Sequence, residues 1–132
     1  MAIRIVAVGK KHESWVSEGI ERYQKRLKRP FEIEWVYLPH SGLDGLRAAA
    51  DESRTILSRL NANDYVVLLD ERGKNIDSPA LAELLKSPIE KGKNVVLIIG
   101  GAYGVDETVR ARANFVWSLS DLVFPHQLVR LI

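Results

Sequence analysis

The chain has 132 residues, no cysteine, and a formal net charge of +2 from 19 Lys and Arg against 17 Asp and Glu. That length suits one domain whose core needs no staple, and a composition 46% hydrophobic and 27% charged argues against disordered, collagenous or coiled-coil chains. Without cysteine there is no disulfide framework and no thiolate metal site, His12, His40 and His126 are too dispersed to define one by spacing, and the longest apolar run, 95–102, is too short to cross a membrane.

Residues 3–8 form a short run rich in β-branched side chains, broken only by Arg4 and closed by Gly9, which predicts a buried strand. The basic residues of this N-terminus follow the apolar stretch, the reverse of a secretory signal, so a cytoplasmic protein is expected. From Trp15 the four-three-four spacing of Val16, Ile20, Tyr23 and Leu27 predicts an amphipathic helix ended by Pro30. Phe31, Ile33, Trp35 and Tyr37 alternate with Glu32, Glu34, Val36 and Leu38, the period of a strand with one face more exposed. Leu46, Ala49, Ala50, Ser53, Ile56, Leu57 and Leu60 trace the inner face of a second helix.

Residues 65–69 predict a third strand, followed by a polar loop over 70–75. Ser78-Pro79 reads as a helix opening with Ser as the cap, turning Leu81, Leu84 and Leu85 inward. The most hydrophobic run, 95–99, predicts a central strand buried on both faces, and 106–113 and 115–118 a short helix and a fifth strand. Strands alternating with helices require crossovers, hence an α/β domain over 1–132: a parallel five-stranded sheet with helices on both faces. Ligands of such sheets bind beyond the carboxyl ends of the strands, which selects the loops beginning at Asp70, Gly100 and Leu119.

Gly100, Gly101 and Gly104 form either a tight turn or a cradle that lets backbone amides approach a ligand; the spacing is neither a dinucleotide fingerprint nor a Walker loop. Leu119, Leu122, Val123 and Phe124 make the loop after the fifth strand unusually apolar. They cap the core, or they wall a site for a planar ligand such as adenine. Pro125-His126 starts a helix whose positive end disfavours imidazolium, so His126 is either a neutral base or a packing residue. Arg130, one turn on, is a phosphate contact or a surface cation. Arg22, Lys25, Arg26, Lys28 and Arg29, with Lys10 and Lys11 before them, are a solvated face or a salt-sensitive phosphate-tracking surface. Asp70, Glu71, Arg72 and Lys74 form a polar lip or a solvated turn around Gly73.

IVAVGK at the N-terminus, VVLLDERGK at 66–74, LIIGGAYG at 97–104 and WSLSDLVFPHQLVR at 117–130 together resemble the RlmH family of SPOUT methyltransferases, in order and across essentially the whole chain. The resemblance implies a domain whose C-terminal part is tied into a trefoil knot that binds S-adenosyl-L-methionine. It also implies a homodimer that methylates N3 of a pseudouridine in large-subunit ribosomal RNA (rRNA) on the assembled ribosome, with no metal and no membrane. Carried onto this sequence, it places Leu69, Gly100, Gly101, Leu119, Ser120, Asp121, Leu122, Val123 and Phe124 around the cofactor. His126 becomes the base for the N3 proton, and Arg130 steadies negative charge on the target base or holds a phosphate. Family members continue past this segment through a full helix to a Tyr-His tail, whereas this sequence stops at Ile132. The expectation is therefore a knot that is at most shallow and an altered dimer. The alternative reading is a shortened homologue that folds and binds S-adenosylmethionine or rRNA without catalysis.

Overall fold

A computed structural model describes residues 3–28 and 31–132. Strands and helices alternate through them: β1 Ile3–Val8, α1 Ser14–Gln24, β2 Ile33–Leu38, α2 Gly45–Ser58, β3 Tyr65–Lys74, α3 Ser78–Glu90, β4 Val95–Ile99, α4 Glu107–Arg112, β5 Phe115–Trp117 and α5 His126–Leu131. All five strands are parallel, in the order β2-β1-β4-β3-β5. The most apolar run is thus the central strand, with Val95, Val96 and Ile98 fully inaccessible. Ala7 of β1 and Leu69 of β3 both pair with Ile99, and Trp117 pairs with Leu69, so four strands end at one level.

The two-residue period of the strands sorts their side chains between two layers. Val6, Val8, Val66, Leu68, Val96 and Ile98 face α2 and α4, packing with Ile56 and Val109. Ile5, Ala7 and Ile99 face the other way with half-buried Trp35, Leu69 and Leu97, where Val129 of α5 covers them.

Four local expectations change. Helix α1 stops at Gln24, and Tyr23 and Leu27 are exposed rather than inward. Gln24 is tethered to β2 through the Ile33 carbonyl (3.4 Å) and the Trp35 indole (3.3 Å), and i→i−3 turn bonds replace the helix beyond it. The expected terminator, Pro30, lies outside the described residues, as does Arg29 of the basic run. In α2, Leu46 is 91% exposed, and the buried face is Ala48, Ala49, Glu52, Ser53 and Ile56. Ser53 lies inside as expected, and Glu52 joins it while Leu46 does not, because both polar groups find backbone donors inside, Ser41 N for Glu52 and Asp106 N for Ser53.

The expected polar loop 70–75 largely belongs to β3, which resumes pairing at Lys74 opposite Trp117 after an irregularity. It folds tightly onto β5: a Cβ on Gly73 would lie 2.5 Å from the Val116 carbonyl oxygen. Helix α3 is capped by Asp77, whose carboxylate accepts from Ala80 N at 2.9 Å, so Ser78 and Pro79 occupy the first turn instead. Among the described residues, no helix is long and apolar enough to cross a membrane.

Ile98→Ala should lower the unfolding free energy by about 2–5 kcal/mol in urea titration, the cost of a cavity in a close-packed core. Leu46→Ala should stay within about 0.5 kcal/mol; equal losses would contradict this burial pattern.

Candidate functional site

Beyond the flush strand ends lies a cleft of about 600 Å³. It is built by the three loops that the sheet topology selects: the end of β3, the glycine turn after β4 and the loop after β5. Its size falls in the range of cofactor sites, roughly 300–1,000 Å³. Leu69, Ile99, Trp117, Leu119 and Phe124 supply apolar walls.

The glycine turn closes with Gly104 N donating to Gly101 O at 3.0 Å, and Gly104 sits at φ +73°, where a side chain is disfavoured. At Gly101 the constraint is space, because a Cβ there would come within 2.6 Å of Glu52 Oε1. The opposite wall bonds to itself: Ser118 Oγ donates to Ser120 O, and Leu122 N to Ser120 Oγ. This leaves Leu122 69% and Val123 79% exposed beside the cleft. The loop is therefore not a closed core cap.

Of the residues singled out in the sequence, Leu69, Gly100, Gly101, Leu119, Ser120, Leu122, Val123, Phe124 and His126 line the cleft. Asp121 and Arg130 are not among its lining residues. Asp121 points into solvent beside it. Arg130, pictured as a phosphate contact or surface cation, is 6% exposed and turned the other way. Its Nη1 donates to Lys10 O at 2.6 Å and its Nη2 to Val8 O at 3.4 Å, capping the end of β1. Gly9 makes this possible, since a Cβ there would stand 3.1 Å from Nη2.

His126 opens α5 at the cleft margin. Its pKa is lowered from the ordinary 6.5 by desolvation of the ring, then by the charges of Arg130 and His40, with Glu52 opposing them. The neutral imidazole is favoured. On the β3 lip, burial pushes Asp70 up, but hydrogen bonds from Arg72 N and the Arg110 and Arg72 side chains outweigh it and leave its pKa lowered. Asp70 is thus an ionised anchor of the lip. Among the described residues, no group of three His, Asp or Glu side chains is placed to hold a metal ion.

Sequence reasoning missed Glu52, which is 5% exposed beneath the glycine turn. Its signal was a carboxylate between Ala49 and Ile56 on an otherwise apolar helix face.

A parallel sheet that ends flush beneath a glycine turn and a self-bonded apolar loop is consistent with one class of α/β proteins, the SPOUT methyltransferases. The family model described as "Predicted SPOUT methyltransferase" matches residues 1–132, and the chain belongs to that family. Curated relatives narrow the assignment to the RlmH branch. The chain is 39% identical over 136 residues to ribosomal RNA large subunit methyltransferase H of Stenotrophomonas maltophilia (strain K279a), 35% to that of Hahella chejuensis and 40% to that of Alkalilimnicola ehrlichii. Each alignment covers all of this chain and 87% of the relative. A methyltransferase needs a methyl donor, and the lining fits one with a planar, apolar-faced group and polar edges: apolar walls from Leu69, Leu119 and Phe124 and the main chain of the glycine turn.

Arg130→Ala should destabilise the protein by about 1–3 kcal/mol, because two strand-end carbonyls lose their donor. His126→Ala should cost no more than about 0.5 kcal/mol. Urea unfolding of the two variants tests this division between a structural and an exposed residue.

Proposed function

We propose that the chain transfers a methyl group from S-adenosyl-L-methionine to N3 of a pseudouridine in large-subunit rRNA, with the cleft as the donor site and His126 as the proton acceptor. The observation that carries this reading is the position of His126, a neutral-leaning imidazole at the margin of a cleft built by the three loops. When bound, the donor supplies an electrophilic methyl carbon on a sulfonium.

The chain does the rest. Leu69, Leu119 and Phe124 hold the heterocycle and keep water from the sulfonium, and the glycine turn lets main-chain groups reach the ligand's polar edges. An imidazole nitrogen of His126 would take up the proton that N3 gives up on methylation and become imidazolium. Arg130 acts at one remove, fixing α5 to the end of β1 and so fixing the ring one turn away.

The rRNA substrate follows from the relatives' names and fits the exposed Lys10, Lys11, Arg22, Lys25 and Arg26, which share the β1–α1 side of the molecule. A cytoplasmic homodimer belongs to the same reading. The self-association in it is supported by the thin cover over the α5 face, where Leu97 stays half-buried although it lies in the central strand.

Incubation with methyl-labelled donor and ribosomes lacking the modification should give labelled large-subunit rRNA. His126→Ala should cut turnover by about 10²–10⁴-fold while donor affinity by calorimetry is retained. Wild-type binding without transfer would instead identify a noncatalytic module. Because the His126 pKa is lowered, the base form persists below the ordinary value, and the acid limb of the rate profile should fall below pH 6.5. An acid limb above that value would remove His126 from the role.

A further inference from the structure

Glu52 is buried, charged and unused by the chemistry above, and its surroundings are unusual. Its Oε2 accepts from Ser41 N at 2.8 Å and lies 3.9 Å from His40 Nδ1. Its Oε1 is inaccessible and has no hydrogen-bond partner. That second oxygen sits against Gly101 at a distance no Cβ tolerates. The next residue, Ser53, is fully buried, and its hydroxyl accepts from Asp106 N at 2.9 Å, at the far end of the glycine turn. One turn of α2 thus holds both the His40-Ser41 segment and the glycine turn.

The same place is where three loops meet. A Cβ on Gly9 would lie 3.2 Å from His40 Nε2 and 3.1 Å from Arg130 Nη2, so His40 and the α5 guanidinium converge over the end of β1. His126 is one helical turn from Arg130. A carboxylate kept out of water with one oxygen unpaired is costly and calls for a reason. A structural tie to Ser41 would need one acceptor and no charge.

We propose that Glu52 is a positioning residue of this site: its buried carboxylate, held by Ser41 N and set against Gly101, seats the glycine turn and the His40 loop and supplies a fixed negative charge on the His126 side of the cleft. The catalytic part of this inference rests on the proposed methyl transfer; the electrostatic part does not. The charges facing His126 are Arg130 on its own helix, His40 from the β2–α2 loop, Glu52 from α2, and Asp70, Glu71 and Arg72 across the cleft on β3. Lys10 and His12 are neighbours of Arg130, whose Nη1 donates to the Lys10 carbonyl and whose charge acts on His12. At His126 the Glu52 charge opposes those of Arg130 and His40, and the Asp70 and Glu71 carboxylates across the cleft carry the same sign as Glu52.

Glu52→Gln keeps an acceptor for Ser41 N and removes the charge. In the full chain, titration of the His126 ring resonance from about pH 5 to about pH 8 should then show a midpoint moved to lower pH, with the acid limb of any methyl-transfer profile moving the same way. At neutral pH, transfer should fall by roughly 10-fold or more through misplacement of the turn, while Glu52→Asp, which keeps the charge, should leave the His126 midpoint near that of the wild type. A merely structural Glu52 would lower the melting temperature without moving the midpoint, and an unmoved midpoint in folded Glu52→Gln overturns the proposal.

Should Glu52→Gln fail to fold, the wild-type protein decides the question. The Glu52 carboxyl carbon resonance should step at the His126 midpoint, and a flat trace there overturns the proposal equally. Wild-type protein that methylates nothing would sink the reading of function while leaving the midpoint comparison intact.

Discussion

Parallel pairing of β4 with β1 on one side and β3 on the other is the constraint on which the site depends. Ala7 and Leu69 meet the same residue, Ile99, so β1, β4 and β3 run out together, and β5 joins them through Trp117. Every loop leaving that rim must cross the same small area. Parallel strands also require crossovers, which is why each of these loops leads into a helix and why the helices cover the sheet. The cleft is what remains between three loops that begin at one level and leave in different directions.

Two buried charges shape that rim, and each is seated against a glycine. Arg130 lies over Gly9 and donates to carbonyls at the end of β1; Glu52 lies under Gly101 and accepts from the backbone of Ser41. Burying either group costs free energy unless hydrogen bonds replace its water. Arg130 recovers two acceptors and lies over the Tyr37 ring at 5.9 Å with its Nε unpartnered, while Glu52 recovers one backbone donor and keeps an unpaired Oε1. The guanidinium is thus accounted for by the strand end it caps. The carboxylate is not accounted for by packing, and His126 stands within reach of both charges.

The sheet was legible because its strands are short, strongly apolar and separated by helical periodicity. Residues 3–8 and 95–99 have the bounds of β1 and β4, and the topology followed from alternation alone. Periodicity misled where polar groups replaced apolar ones inside. On α2 the inner face includes Glu52 beside the expected Ser53 and leaves Leu46 in water, because the loop packed on it offers Glu52 a backbone donor that no local pattern reveals. The same limit applies to α1, whose apolar spacing runs past Gln24 although side-chain bonds to β2 end the helix there. In the cleft, sequence located the loops but not the direction of a long side chain. Arg130 shares a helix face with His126, yet its reach carries the guanidinium back to β1.

The unequal layering of the sheet bears on how such a cleft would work. Toward α2 and α4 the core is continuous, from Val6 through Ile98 to Ile56 and Val109. Toward α5 it is thinner, and Leu69, Leu97 and Trp35 remain half-buried. The floor of the cleft, meaning the glycine turn with Glu52 and Ser53 beneath it, is attached to the well-packed side, so its geometry is set before any ligand arrives. The wall carrying Leu122 and Val123 is held by bonds within its own loop and has exposed apolar surface to gain from contact. Local opening is governed by the least buried elements. A ligand on this rim therefore meets a floor tied to the well-packed layer and a wall that presents exposed Leu122 and Val123 beside it.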